Sequence, residues 1–574
     1  MPDPTRATSV THDPLAFAHK STDFENPLQR STNRAVMLSC NDGTSGLNCK
    51  DPTQMQNFSS DHLMRPSHSV LMPLLFAFVA AALCDSPLRA DELRLSDTFT
   101  DNAVLQRGVP LPVWGTTKAN TAVTIEFAGQ SKTATSAKDG TWRINLTPMH
   151  ASHIGRTMTV KSDGSVQELH NLLVGEVWYA SGQSNMQMTL TSCSRKIPAI
   201  KEMVDAAPTK HIRFLRISAP DSPQPLTTWH PVSAWQCDNP VNRAKQSAVA
   251  YLFAHTLQER LNVPVGIIEG SWGGKPIEGF IPRSQFTITK PLQKILSLAE
   301  NDQLDEVAKL KGGVIIRNTA GMPGRIYNSR VAPIAPFAIR GFIWYQGESN
   351  AGRGEDPRNY RIKMKALIDG WRQTWGQPEL PFYFVQLPAF SDTAHGWVRL
   401  REEQRLSLGI PHTGMAVTID LRDSDIHPAN KLDVAKRLAS WALVKTYGKQ
   451  LVHSGPLFKS ATINSDTVRV KFEHAETGLL VARKEGIASP KATPETALSH
   501  FELADDTGQW YPARATIDGS QVVVQSSQVM RPRAVRYACS GNPANANLYN
   551  QAGLPASPFC SELKLLGWQP EKAR

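Results

Sequence analysis

Three textures of hydrophobic and polar positions follow one another along the chain. Between Leu93 and about His170, short runs alternate apolar and polar residues and are split by turn signals. Examples are Leu111-Pro112-Val113-Trp114, Ala122 to Phe127, and Trp142-Arg143-Ile144-Asn145-Leu146 after Asp139-Gly140. Strands about 8–12 residues apart predict a β-sandwich-like module. From Leu172 to about Tyr447 the pattern changes. Apolar runs of strand length (Val174 to Ala180, Val265 to Ile268, Gly341 to Tyr345, Phe382 to Gln386, Gly414 to Ile419) alternate with helical segments. Ser247 to Leu261 carries Val249, Phe253 and Leu257 at helical spacing, and Asn430 to Tyr447 reads as another helix. That alternation predicts an α/β domain, a parallel sheet covered by helices. From Leu451 onward period-two alternation returns, in Thr467 to Phe472 and Gln521 to Gln525. The expected organisation is an N-terminal β-module over 91–170, an α/β domain over 171–450 and a C-terminal β-module over 451–574.

The first ninety residues fit none of these textures. Met64-Arg65 precedes an apolar run from Val70 to Cys84 that ends at Asp85. About fifteen apolar residues behind a basic start match the core of a signal peptide and fall short of a membrane span. Ala82-Leu83-Cys84 and Ala90 offer small residues for cleavage. A signal peptide belongs at an N-terminus, so translation is expected to start at Met64. Residues 1–63 then read as a leader or mis-assigned extension and 64–90 as the signal peptide. The mature protein is expected to be exported, periplasmic or secreted, with no stable membrane insertion after cleavage; a short membrane anchor is the rival.

Composition narrows the classes. Of 574 residues, 41% are hydrophobic and 20% charged, which excludes bulk disorder and a polytopic membrane protein. The net charge is +11, yet its densest stretches, Arg353 to Lys365 and Arg531 to Arg536, are short and carry no nucleic-acid fold signature. A solvated basic surface, with some attraction for acidic glycans, is expected rather than a nucleic-acid partner. None of the seven cysteines forms a C-x-x-C pair or a zinc-spaced cluster. Past the leader, Cys193, Cys237, Cys539 and Cys560 remain, an even number that permits two disulfides in an exported chain.

The candidate chemistry lies where apolar runs end. Strand Glu176 to Ala180 runs into Ser181-Gly182-Gln183-Ser184-Asn185-Met186. A serine there sits at the carboxyl edge of a parallel sheet, where its own N–H can face a developing oxyanion. Met186 replaces the second glycine of a G-x-S-x-G elbow, so that motif is absent. Taken alone, a serine there is more often a helix N-cap than a nucleophile. After Val265 to Ile268 comes Glu269-Gly270-Ser271-Trp272-Gly273-Gly274-Lys275-Pro276, whose glycines can present backbone N–H groups. Glu269 and Pro276 exclude a phosphate loop. Gly341 to Tyr345 leads into Gln346-Gly347-Glu348-Ser349-Asn350, and Asp423-Ser424-Asp425-Ile426-His427-Pro428 precedes a helix. A histidine beside aspartates is the minimum for a base held in one tautomer, though a surface histidine has the same appearance.

Together, Gly182-Gln183-Ser184-Asn185-Met186, Ser271-Trp272-Gly273-Gly274, Trp344 to Asn350 and Asp425-Ile426-His427-Pro428 resemble the bacterial sialate O-acetylesterase family of SGNH/GDSL-type hydrolases. The resemblance runs from about Leu93 to Phe559 and includes Asn547-Leu548-Tyr549-Asn550. It implies a flavodoxin-like SGNH hydrolase domain that removes O-acetyl groups from carbohydrates through an acetyl-enzyme, with no cofactor or metal. By motif, Ser184 matches the nucleophile and His427 the base. The oxyanion hole is then Ser184, Gly273 or Gly274, and the Gln346 side chain, with Glu348 and Asn350 in support. The superfamily places its aspartate three residues before the histidine, but here that position is Ser424. Asp425 is the preferred acid, with Asp423 and Asp433 as alternatives. The rivals are a glycoside hydrolase using Glu348 and an aspartate, a non-catalytic glycan-binding protein, and an acetyltransferase that passes the acetyl group to a sugar.

Overall fold

The computed structural model describes residues 92–230, 232–301, 319–351, 356–391, 395–423 and 425–567, so the expected extension (1–63) and signal peptide (64–90) lie outside the described residues. Among the described residues no helix is long and apolar enough to cross a membrane.

The unalternating apolar runs form the parallel sheet. Its strands are β1 (Ser165–Gly182), β2 (Ile212–Arg216), β3 (Gln236–Cys237), β4 (Val265–Glu269), β5 (Gly341–Tyr345), β6 (Phe382–Val385) and β7 (Thr413–Ala416). They lie in the order β3-β2-β4-β1-β5-β6-β7, parallel throughout except for β3 on β2. Every residue of β4, β5 and β6 is buried, as strands covered on both faces require. Leaving aside β2 and β3, which extend one edge, the order is that of a flavodoxin-like sheet. The chain leaves β1 for β4 on one side and returns to β5 on the other, so the carboxyl ends of β1 and β5 flank a topological switch point.

Helices α1 (Ser184–Gln187), α2 (Ala248–Leu261), α3 (Tyr360–Trp375), α4 (His395–Leu406) and α5 (Lys431–Lys445) accompany the sheet. The two anticipated helices begin where capping chemistry places them. Ser247 Oγ accepts from the Ala250 N–H at 3.2 Å, and Asn430 Oδ1 accepts from the Asp433 N–H at 3.2 Å. Strand β2 and helices α3 and α4 were not anticipated. In α4 the buried positions include Arg401, Glu402, Glu403 and Gln404, which no apolar stripe announces.

Strand β1 has two lives. Its first half pairs antiparallel with Ser152–Ser162 of the N-terminal β-structure, and its second half is the central parallel strand, so position 170/171 falls within it. Core residues on both sides of that position, Val160 and Phe127 among them with Val177 and Phe342, share one cluster. Val468, Val470, Phe472, Val522, Val524 and Phe559 form a second cluster among the C-terminal strands. Those strands include a four-stranded antiparallel sheet in the order Leu457–Asn464, Thr467–Glu473, Gln521–Gln525, Arg514–Asp518.

The disulfide expectation is corrected: Cys193, Cys237, Cys539 and Cys560 are all free thiols. Cys237 is turned to the Arg213 guanidinium. The Cys539 thiol donates to the Phe559 carbonyl at 3.2 Å and the Cys560 thiol to the Glu562 carbonyl at 3.3 Å. The even count carried no pairing information: three of the thiols meet other groups, and Cys193 lies buried in the core.

Candidate active site

Ser184 opens α1 directly beyond the end of β1. Gly182 makes this turn possible at φ +139°, where a Cβ would collide with the Tyr345 carbonyl of β5. The Gln183 N–H continues the ladder by donating to the Tyr345 carbonyl at 3.0 Å. The serine thus stands at the switch point. From the loop before α5, His427 Nε2 lies 2.9 Å from Ser184 Oγ, and His427 Nδ1 lies 3.1 Å from Asp425 Oδ1. The same carboxylate oxygen accepts from the His427 backbone N–H at 3.2 Å. Two residues 243 positions apart in sequence meet in this way.

The alternative acids are engaged elsewhere. Asp423 pairs with Lys196 at 3.0 Å and accepts from the Ala429 N–H at 3.3 Å. Asp433 pairs with Lys484 at 2.7 Å and accepts from Asn430 Nδ2 at 2.7 Å. Ser424 lies outside the described residues.

The expected oxyanion donors are only partly assembled around the serine. The Ser184 N–H belongs to the first turn of α1 and has no acceptor among the described residues. The loop after β4 is brought alongside by the Trp272 N–H, which donates to the Gly182 carbonyl at 2.9 Å. A Cβ on Gly273 would stand 3.6 Å from the Ser184 Cβ. The Gly273 N–H itself donates to Gln187 Oε1 at 3.0 Å, an exposed side chain, and Gly274 has φ +68° with open space beside it.

Gln346 is tied into the neighbouring loops. Its side chain is fully buried, and its amide nitrogen donates to Asn350 Oδ1 at 2.8 Å, Gln183 Oε1 at 3.1 Å and the Lys275 carbonyl at 3.3 Å. Its oxygen accepts from the Tyr360 hydroxyl at 2.7 Å. Through these bonds Gln346 ties three loops together beside the serine turn. Asn350 does similar work. Its Oδ1 accepts from the Ile277 N–H at 2.9 Å and its Nδ2 donates to Glu278 Oε2 at 3.1 Å.

Glu348 is buried beneath the serine turn, where its Oε1 accepts from Asn185 Nδ2 at 2.5 Å. Burial raises its pKa above the ordinary 4.5, opposed by that hydrogen bond and by Lys431 and His427 nearby. A carboxylate so enclosed is not open to a sugar, as the glycoside hydrolase rival requires. Lys431, the first residue of α5, is also buried, and desolvation lowers it to about 8. Its ammonium donates to Asn185 Oδ1 and lies 5.1 Å above the Tyr345 ring. Asn185 and Lys431 had not been singled out; the motif around Ser184 contained the first, and no pattern marks the second. A cavity of about 870 Å³ opens behind the histidine loop, lined by Lys196, Asp423, Asn430, Lys484 and Tyr549 but by neither Ser184 nor His427.

Comparison with known proteins places the chain in a family. The family described as carbohydrate esterase, sialic acid-specific acetylesterase matches residues 174–443, which contain Ser184 and His427. The chain is 28% identical over 527 residues to a sialate O-acetylesterase from Rattus norvegicus, covering 81% of this chain and 94% of the relative. It is 30% identical over 405 residues to the sialate O-acetylesterase from Homo sapiens, covering 63% of this chain and 73% of the relative. The crystal structure of a carbohydrate acetylesterase from Xanthomonas citri superposes with a TM-score of 0.71 at 34% identity, covering 82% of this chain and 99% of that one. The chain belongs to the sialate O-acetylesterase family of carbohydrate esterases.

Proposed function

We propose that this chain removes O-acetyl groups from carbohydrates by SGNH-type serine chemistry, acting after export. The observation that carries the reading is the hydrogen-bonded series Ser184 Oγ, His427 Nε2 (2.9 Å), then His427 Nδ1, Asp425 Oδ1 (3.1 Å), at the sheet's switch point. His427 takes the Ser184 proton as Oγ attacks the acetyl carbonyl. Asp425 holds the imidazole tautomer and stabilises the imidazolium. The tetrahedral oxyanion is met by the Ser184 N–H and by an N–H of Gly273 or Gly274, after the substrate displaces the exposed Gln187 side chain. His427 returns its proton to the departing sugar oxygen, and water then releases acetate from the acetyl-serine by the same steps. The net charge of +11 and the sialate esterases among the relatives favour acetylated sugars that carry negative charge. Residues 91–170 and 451–574 serve as β-modules around the hydrolase domain, 171–450.

The test is acetate release from 4-nitrophenyl acetate and from acetylated neutral and acidic glycans, with and without a chelator. The wild type is expected to be active under both conditions and Ser184→Ala to lose at least about 10³-fold in kcat. Unchanged turnover in the variant would remove Ser184 from the chemistry.

A further inference from the structure

Ser184 and His427 come from opposite ends of the hydrolase sequence, and the hydrogen bond between them requires two loops to hold a fixed separation. The side chain that spans this gap is Asn185. Its Nδ2 donates to Glu348 Oε1 at 2.5 Å and to the carbonyl of Ile426 at 3.0 Å. Its Oδ1 accepts from the Lys431 ammonium. Asn185 follows the nucleophile, and the Ile426 carbonyl belongs to the peptide that leads into the base. A single amide therefore ties the peptide before His427 to the turn that carries Ser184.

The arrangement is buried. Asn185 and Lys431 are fully enclosed, and Glu348 nearly so. Hydrogen bonds to charged partners in such surroundings are stronger than those in water. The clamp also joins three elements: α1 through Asn185, the turn after β5 through Glu348 and the start of α5 through Lys431. On its other side the His427 loop is held by groups more open to solvent, since Asp425 is 55% exposed and Lys196, which pairs with Asp423, is 51% exposed. The interior tie is the firmer one.

We infer that Asn185, held by Glu348 and Lys431, is a positioning residue that keeps His427 in register with Ser184. This rests on the reading of Ser184 and His427 as nucleophile and base. Asn185 reaches no reacting atom in this role; it acts through the placement of His427. Displacing a catalytic group by about 1 Å typically costs about 10²-fold in rate.

The experiment is a double-mutant cycle in the intact chain with 4-nitrophenyl acetate. Asn185→Ala is expected to lower kcat by about 10- to 100-fold with KM within about twofold. Placed in a His427→Ala background, the same substitution is expected to change the residual rate by less than about twofold, because the group it positions is gone. An equal fold-loss in both backgrounds, or no loss in either, overturns the inference. Should Asn185→Ala fail to fold, Lys431→Met, which removes the bond to Asn185 Oδ1 together with the charge over the Tyr345 ring, is carried through the same cycle. It is expected to lose about tenfold with His427 present and nothing without it. Full activity of His427→Ala would instead overturn the serine–histidine reading itself.

Discussion

Asp425 bonds to both the ring and the backbone of His427, yet its side chain is 55% exposed. A buried triad aspartate is worth roughly 10⁴ in kcat. Here water can reach Nδ1 when the carboxylate is removed, so Asp425→Ala is expected to cost about 10²-fold, with little change in KM. Asp433, already paired with Lys484, provides the contrast, and Asp433→Asn is expected to remain within about twofold of wild type. Equal losses in the two variants would show that neither carboxylate serves the histidine directly. At this scale the motifs disclosed the residues proposed to react, because a nucleophile and a base must be of particular types. They did not disclose the partners of Gln346. Its type suits an oxyanion donor, but its hydrogens go to Gln183 and Asn350, which only the folded loops bring within reach.

Among the elements, β1 does most to position the site. Its carboxyl end delivers Ser184, and its middle carries Glu176, a fully buried carboxylate. Arg107 from the N-terminal β-structure reaches it at 2.5 Å and Arg340, just ahead of β5, at 2.7 Å. Gln106 Nε2 adds a bond of 3.0 Å. Removing one member of such a group leaves the others uncompensated, at a cost of about 3–5 kcal/mol. Glu176→Ala is therefore expected to lower the unfolding free energy measured in urea by that amount, with KM unchanged in the protein that remains folded. An unfolding free energy within about 0.5 kcal/mol of wild type would show the ion group to be dispensable. The second half of β1 was legible because a long, mostly apolar run, buried without a break from Leu172 to Gly182, needs no interpretation of pattern. Helix α4 was not, since it buries Glu402 and Glu403, paired with Arg405 and Arg399. Hydropathy counts such residues as solvent-facing, and only their pairing makes burial tolerable.

Across the whole molecule, the region joining α5 to the C-terminal strands introduces a pH dependence. The His453 ring lies 4.5 Å from Trp441 and 5.0 Å from His474. Burial, and then the neighbouring His474, push its pKa down from 6.5 to about 4. The folded form thus keeps His453 neutral while the unfolded chain protonates it. This contribution to stability is complete above about pH 6.5 and lost as pH falls toward 4. The melting temperature is expected to decline across that window, and His453→Phe, which keeps a ring in place, to flatten the decline. Parallel profiles for the two proteins would assign the acid sensitivity to other groups.

The sequence by itself determined the strand–helix alternation, the two flanking β-rich regions and the four motifs, because each depends on residue type and short-range spacing. It thereby also determined the esterase chemistry. Tertiary structure alone decided that β1 belongs to two layers of the molecule at once and that the four cysteines stay unpaired. It also decided that Asp425, rather than Asp433, meets the histidine. Asn185, Glu348 and Lys431 became one buried group for the same reason: their partners are separated by up to 246 positions, a contact that no local pattern records and only chain packing creates.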